Sequence, residues 1–290
     1  MRVALVTCRT LPRADPELPT LVDAFARRGI AAAPVAWDDE GVAWSGFDVA
    51  LIRSTWNYVQ NLERYLAWLA NVSTACTLVN GVDIVRWNLH KRYLLELAAA
   101  DVPVVPTQLV AAGEFVDLDR LFGAWGELVL KPAISAGSFQ TVRVAAGDHA
   151  AAAAHLAENA ARDMLIQPAL PSVLERGERN MVFFRGSFSH AIHKRARWKG
   201  DPEASAGTIE PDADEIALAE RVFAFLARRG LGCPSYARVD VARDRHGGAV
   251  LMELELIEPS LFVERVEGAA DRLVDAVRAS WDDGRERSVR

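Results

Sequence analysis

Apolar runs alternate with amphipathic segments through residues 1–88, and this alternation constrains the fold more than any other feature of the sequence. The run Arg2–Thr7 has the length and apolar character of a buried parallel strand. The next segment, Leu18–Arg28, has apolar residues at helical spacing and stops at Gly29, a residue typical of helix ends. The pattern then repeats, with predicted strands at Ile30–Val35, Asp48–Ile52 and Thr77–Val79 and a predicted helix at Leu62–Leu69. It predicts a small parallel sheet with helices on both faces.

Two common nucleotide-binding motifs are missing from this α/β region. A dinucleotide-binding sheet needs glycines after its first strand so that the backbone can approach the pyrophosphate. Here the segment after the first strand, TCRTLPRAD at residues 7–15, contains no glycine. The dipeptide Gly-Lys does not occur anywhere in the chain, so a P-loop is excluded as well.

The remainder of the chain predicts helices mixed with antiparallel strands. The predicted helices are Asn88–Ala100, Gly147–Asp163, Ala213–Arg229 and Val266–Ala279. The predicted strands are Thr107–Val110, Leu128–Lys131, Thr141–Val144, Met164–Gln167, Met181–Phe184, Phe188–His193, Tyr236–Ala242 and Ala249–Leu256. We therefore expect three parts: an α/β substrate-side domain at residues 1–88, a small α+β subdomain at 89–165, and a C-terminal α+β nucleotide- and metal-binding subdomain at 166–290.

Composition narrows the classes of partner. A chain of 290 residues with a net charge of −6 is large enough for a real core and gives no basic surface for nucleic acid. Three scattered cysteines form no disulfide framework, which favours a reducing cytoplasm. Neither a signal peptide nor an apolar run long enough to span a membrane is present, so no membrane partner is expected. Whether the chain forms a homo-oligomer stays open.

Acidic residues at alternate positions mark two neighbouring predicted strands. Arg238 and Asp240 share one face of the first strand, and Glu253 and Glu255 share one face of the next. Three carboxylates that converge across a hairpin repel one another unless a cation lies among them. Because oxygen ligands favour hard cations, we predict a Mg²⁺ site there, with Arg238 holding a transferring phosphoryl group. The alternative is a solvated charged face. Glu258 and Glu264 are expected to lie outside this cluster.

Two further segments could bind a nucleotide. Lys131 ends a strand and is followed by a loop of small residues that could surround an anion: Ser135, Ala136, Gly137 and Ser138. Another strand breaks at Pro168, which leaves backbone groups that could bind an adenine edge, and Glu178 follows in a polar turn where it could accept ribose hydroxyls. An ordinary hairpin and a proline-rich linker are the alternatives.

A basic segment and a set of polar residues complete the candidates. The segment His190–Lys199 is either a basic patch that faces phosphates or a solvated strand and loop. Within it, we predict that Lys194 reaches a γ-phosphate. At the carboxyl ends of strands in the first sheet, where open α/β sheets bind ligands, the candidates for substrate recognition are Arg9, Arg53, Ser54 and Thr55. Trp56 and Tyr58 either shape that pocket or pack between domains.

Taken in order, these clusters resemble the ATP-grasp superfamily of carboxylate–amine ligases, over most of the chain from about Asn88 onwards. The resemblance implies an ATP-grasp fold of class α/β, with α+β subdomains in the ATP-binding half that clasp ATP. It implies ATP as co-substrate with Mg²⁺, two ions being expected, and an amino-acid substrate. The implied ATP-binding residues are Lys91, Lys131, Ser135, Ala136, Gly137, Ser138, Gln167, Pro168, Ala169, Leu170 and Glu178. The implied metal ligands are Asp240, Glu253 and Glu255, the implied catalytic residues Arg238 and Lys194, and the implied substrate-side segment Pro259 and Ser260. Glu255 departs from the family, which usually has asparagine there.

Three segments resemble a narrower group, the O-ureido-D-serine cyclo-ligases of D-cycloserine biosynthesis: VTCRTLPRADPE, IRSTWNY and ELELIEPSL. This resemblance implies an antibiotic-biosynthetic ligase in which ATP activates a carboxylate as an acyl phosphate and a side-chain nitrogen closes the ring. The segment QPALPSVLERGERN resembles the bacterial glutathione synthetases instead, so an intermolecular amide ligase remains an alternative. A non-catalytic nucleotide-binding regulatory module is the alternative of another class.

Overall fold

The computed structural model describes residues 1–195 and 205–289, and within these ranges the strands form three sheets. The strands of the first sheet are β1 (Arg2–Thr7), β2 (Ala31–Ala36), β3 (Val49–Ser54) and β4 (Thr77–Leu78). They pair in parallel in the order β2-β1-β3-β4. The central strands β1 and β3 are buried almost throughout, which explains their continuous apolar runs. The predicted parallel sheet is therefore confirmed.

Two helices connect strands of this sheet, α1 (Glu17–Arg27) between β1 and β2 and α2 (Leu62–Ala75) between β3 and β4, and α3 (Val82–Leu89) and α4 (Tyr93–Ala99) follow it. Helix α1 packs on β2 and α2 on β4. The core beside α1 also includes Leu273 and Val277 from the last helix, α9 (Ala269–Val289), so residues near both ends of the chain share one core.

The second sheet is antiparallel and small. Its strands are β5 (Gln108–Val110), β6 (Leu128–Pro132), β7 (Val142–Val144) and β8 (Met164–Pro168), in the order β5-β8-β6-β7. Helices α5 (Leu118–Trp125) and α6 (His149–Glu158) cover it. The side chains of Asp117 and Asp148 accept hydrogen bonds from backbone N–H groups in the first turns of α5 and α6, and so determine where these helices begin.

The third sheet is the largest of those described. Its strands are β9 (Glu178–Phe184), β10 (Ser187–Lys194), β11 (Ser205–Thr208), β12 (Tyr236–Arg243) and β13 (Ala249–Glu255), in the order β11-β10-β9-β12-β13. Arg185 and Gly186, both with positive φ, form the tight turn between β9 and β10. Helices α7 (Pro171–Arg176) and α8 (Ala213–Arg228) lie beside this sheet.

Two buried asparagines fix the third sheet against the first half of the chain. The Asn80 amide donates to the carbonyls of Tyr236 and Leu256 at 2.8 Å. The Asn88 amide donates to the Leu254 carbonyl at 2.8 Å, and its oxygen accepts from the Leu256 N–H at 2.9 Å. Because these bonds attach the backbone on both sides of Glu255 to the first half of the chain, they hold the acidic end of β13 at a defined position.

Two local predictions are wrong. The single helix Asn88–Ala100 is instead broken between α3 and α4, because the Lys91 N–H donates to the distant carbonyl of Ala133 at 2.8 Å. Glu178 does not lie in a polar turn; the helix α7 and Gly177 precede it, and Glu178 itself begins β9. In the part of the chain that is described, no helix is long and apolar enough to cross a membrane.

Candidate active site

A cavity is lined by side chains of the second and third sheets and of the segments that follow β1 and β3. The predicted site residues that line it are Lys91, Lys131, Ser135, Ala136, Gly137, Ser138, Gln167, Pro168, Ala169, Leu170, Glu178, Lys194, Arg238, Asp240, Glu253, Glu255 and Ser260. These residues are scattered through the sequence, so the fold brings most of the predicted nucleotide and metal residues to one place. Of the basic segment His190–Lys199, residues 190–195 are described and residues 196–199 lie outside the described residues.

Arg238 organises two of the three predicted metal ligands. On the paired strands β12 and β13, Arg238 lies opposite Glu255, and Asp240 opposite Glu253. The Arg238 guanidinium donates from Nε and Nη2 to the two carboxylate oxygens of Asp240, each at 2.8 Å, and from Nη2 to Glu255 as well. This bidentate contact between Arg238 and Asp240 is a strong form of the arginine–carboxylate pair, and it holds the guanidinium in the cavity wall.

Two lysines hold the remaining acid of the cluster. Glu253 lies 3.0 Å from Lys91 Nζ and 3.4 Å from Lys131 Nζ. Burial by itself would raise the pKa of Glu253, but the charges of Lys91 and Lys131 outweigh it and lower the pKa. Glu253 is therefore a carboxylate that keeps two cations together at one end of the cavity.

The carboxylates were expected to repel one another unless a cation lies among them, and in this structure the cations among them are side chains. Side-chain cations already separate them: Arg238 stands between Asp240 and Glu255, and the lysines flank Glu253. Among residues 1–195 and 205–289, no group of three acidic, histidine or cysteine side chains is placed to hold a metal ion. The donors are nevertheless all carboxylate oxygens, the ligand type that Mg²⁺ takes.

The charge of Glu255 is compensated least among the acids of this cluster. Its burial, together with the charges of Asp240 and Glu253, raises its pKa in spite of Arg238. The charge of Lys194 acts on Glu255 too, and Lys194 Nζ is 3.3 Å from Glu178. Lys194 and Glu178, which sequence analysis assigned to the γ-phosphate and the ribose, therefore form a salt bridge with each other in this structure.

The small-residue loop and the proline-containing strand face each other across the cavity. The Lys91 ammonium group donates to the Ser135 carbonyl at 2.8 Å, which fixes the start of the loop. At the other wall the Ala169 N–H is already used by the Glu127 carbonyl at 2.9 Å. In the described parts of the chain, no hydrogen bond is made by the Ala169 carbonyl or the Leu170 N–H. These two groups are the ones that an adenine edge could use.

The predicted substrate residues in the first sheet do not line the cavity. Arg9 is exposed, while Ser54 and Thr55 are buried and contact Thr7 and Tyr65. Arg53 is 1% exposed and makes its contacts inside the protein.

Arg53 instead belongs to a buried cluster that supports the segment after β13. Its Nη2 donates to Glu17 Oε2 and to the Pro259 carbonyl, both at 2.8 Å. The other oxygen of Glu17 accepts from the backbone N–H groups of Leu261 and Phe262, at 2.6 and 3.0 Å. Pro259, which is buried, therefore contributes its carbonyl to this support and does not line the cavity.

Several lining residues were missed. Glu258 was expected outside the cluster, yet it lines the cavity and its pKa is raised to about 7 by burial. Arg13, rather than Arg9, reaches the cavity from the first sheet, with its guanidinium 4.7 Å from the Trp56 ring centroid. Trp56 and Tyr58 line the cavity, and Tyr58 is also buried in the core, where its ring stacks on Tyr65. The position of Glu258, one residue before Pro259 in the predicted substrate-side segment, was the signal that could have identified it.

Comparisons with known proteins agree with this geometry. The family described as D-cycloserine synthetase DcsG, N-terminal domain, matches residues 3–80. The cycloserine biosynthesis protein DcsG of Streptomyces lavendulae is 35% identical over 290 residues, which cover 95% of this chain and 97% of that protein. The crystal structure of D-cycloserine synthetase DcsG superposes with a TM-score of 0.88 at 32% identity, covering 97% of this chain and 100% of that one.

More distant structures share the fold. The D-alanine–D-alanine ligase from Bacillus anthracis complexed with ATP has a TM-score of 0.72 at 15% identity and covers 99% of both chains. An ATP-grasp RimK domain protein from Sphaerobacter thermophilus has a TM-score of 0.69 at 24% identity and covers 95% of this chain and 99% of that one. The predicted ATP-grasp fold is confirmed by these neighbours.

Proposed function

The chain belongs to the D-cycloserine synthetase family of ATP-grasp ligases, and from this membership we propose that it closes O-ureido-D-serine into D-cycloserine. It is an ATP-dependent cyclo-ligase that forms a C–N bond. The observation that carries the assignment of its cavity is the convergence of Lys91, Lys131 and Arg238 around carboxylates, at a place where a triphosphate and a carboxylate substrate would need positive charge.

A carboxylate needs activation because oxide is a poor leaving group. In the first step a substrate carboxylate oxygen attacks the γ-phosphorus of ATP, the bond to the bridging oxygen breaks, and ADP leaves. Lys91, Lys131 and Arg238 would stabilise the charge that spreads over the transferred phosphoryl group. Mg²⁺ bound with ATP would neutralise further phosphate charge, and Asp240, Glu253 and Glu255 supply the oxygen donors suited to hold it.

Ring closure needs no enzyme nucleophile. The ureido nitrogen next to the side-chain oxygen attacks the acyl phosphate carbon and loses its proton, and inorganic phosphate leaves with formation of the five-membered ring. Water then hydrolyses the carbamoyl remnant. The cavity's contribution is to hold the nitrogen and the acyl carbon of one molecule in reacting geometry, which makes attack an intramolecular event.

The residues that line the rest of the cavity would supply the remaining contacts to the nucleotide. The Ala169 carbonyl and the Leu170 N–H would take the adenine edge, and Glu178 with Lys194 would lie toward the ribose and the phosphates. The loop Ser135–Ser138 would cover the phosphates, since its small residues let backbone N–H groups approach an anion. The three cysteines are free thiols, which supports a reducing compartment such as the cytoplasm.

The activity is tested by adding ATP, Mg²⁺ and O-ureido-D-serine and measuring ADP by a coupled assay and D-cycloserine by mass spectrometry. We expect both products without any second amine substrate. ADP release that requires a separate amine would instead identify an intermolecular ligase, and no ADP release with any amino acid would contradict catalysis. Lys131→Met should abolish most of the turnover, whereas Arg64→Met, which removes an exposed cation outside the cavity, should not.

A further inference from the structure

One end of the cavity is formed by residues from the first sheet and from the segment after β13. Trp56 and Tyr58 both follow β3, and Glu258 comes three residues after the last residue of β13. All three line the cavity together with Ser260. The mechanism described above assigns no role to these residues.

Glu258 differs from the other acids of the cavity in its partners. Glu178, Asp240, Glu253 and Glu255 each lie within salt-bridge distance of a lysine or arginine. Within the described ranges, Glu258 makes no such ion pair, and the neighbouring Tyr58 side chain lowers its pKa. Burial raises the pKa of Glu258 to about 7, against the lowering effect of Tyr58 and Lys91. Lys91 and Arg238 offset this burial only in part and at a distance, so a cation in direct contact with Glu258 would stabilise its charge.

We propose that Glu258 accepts the α-ammonium group of the amino-acid substrate, with the Tyr58 hydroxyl orienting the carboxylate. This assignment rests on the proposed function, because an amino-acid substrate brings the ammonium group. An α-ammonium nitrogen and the reacting carboxylate are separated by one carbon atom, so the acceptor must lie close to the phosphate-binding wall. Three residues span at most about 10 Å, which limits the distance between the backbone at Glu255 and at Glu258.

The backbone around Glu258 is held in place before any substrate arrives. The Ile257 carbonyl accepts from the Tyr236 hydroxyl at 2.7 Å, and the Pro259 carbonyl accepts from Arg53 at 2.8 Å. These contacts fix the residues on both sides of Glu258 although the segment belongs to no strand or helix. A carboxylate on so constrained a backbone can recognise an ammonium group without paying for its own ordering.

The experiment compares two substrates in two proteins. The substrates are O-ureido-D-serine and its analogue lacking the α-amino group, and the proteins are the wild type and Glu258→Gln, which keeps the shape but removes the charge. With O-ureido-D-serine we expect kcat/KM, measured by ADP release, to fall roughly 10- to 100-fold in the variant, the value of a charge-assisted hydrogen bond. With the analogue both proteins should have the same kcat/KM. Glu258→Asp, which retains the charge, should recover part of the discrimination between the substrates.

The controls separate this inference from the proposed function. Glu267→Gln removes the same charge from an exposed position outside the cavity and should leave both substrates unaffected. If the wild type turns over O-ureido-D-serine but Glu258→Gln loses equally on both substrates, or on neither, the ammonium assignment is wrong while the activity stands. If the wild type does not turn over O-ureido-D-serine, the proposed function fails and this inference fails with it.

Discussion

The buried pair of Glu17 and Arg53 gives the sharpest stability prediction. Removing the Glu17 carboxylate in Glu17→Ala deprives Arg53 of its counter-ion and the N–H groups of Leu261 and Phe262 of their acceptor. The Arg53 side chain is 1% exposed, so water cannot replace the lost carboxylate. Within residues 1–195 and 205–289, its Nε and Nη1 have no hydrogen-bond partner even in the intact protein. Breaking a buried pair in this way costs about 3–5 kcal/mol. That is a large part of the roughly 5–15 kcal/mol by which proteins are stable.

Urea unfolding followed by far-ultraviolet circular dichroism measures this loss. Glu220→Ala, at an exposed position of α8, is the matched control and should change the free energy of unfolding by less than about 0.5 kcal/mol. Adding Arg53→Met to Glu17→Ala should recover part of the loss, because the unpaired buried charge is removed. A loss below about 1 kcal/mol in Glu17→Ala, or a further loss in the double variant, would refute the reasoning, since either result means that the Arg53 charge is solvated.

Three other perturbations test separate parts of the protein. Glu253→Gln removes the charge that holds two lysines together, and we expect kcat for ADP release to fall about 100-fold; an unchanged kcat would contradict this. Gly177→Ala places a side chain at φ +81° against the Lys194 carbonyl, so urea unfolding should show a loss of about 1–3 kcal/mol, and equal stability would argue against this clash. Burial lowers the pKa of His190 below its usual 6.5, so the unfolded protein takes up the proton more readily and stability should decline as the pH falls below 6.5. His190→Gln should decline less between pH 7.5 and 5.5, and an identical decline would show that His190 is not responsible.

The sequence was informative where the pattern is local. The alternation of apolar runs predicted the parallel sheet, because a strand covered on both faces must be apolar along its length. Alternate positions on strands placed Arg238 with Asp240, and Glu253 with Glu255, on common faces, and the register of β12 and β13 brings them opposite one another. The roles of these residues in binding ATP and metal stay predictions.

What the sequence determined by itself was the order of strands, helices and acidic positions, since these depend on the period of the backbone. Only the tertiary structure decided how the buried charges are balanced: Glu253 by lysines from two other parts of the chain, and Arg53 by Glu17 rather than by a substrate. Glu17 and Leu261 are 244 residues apart and in direct contact, so no periodicity could have paired them. The physical reason is that a charge is stabilised by whichever groups surround it after folding, and their identity depends on the packing of all three sheets.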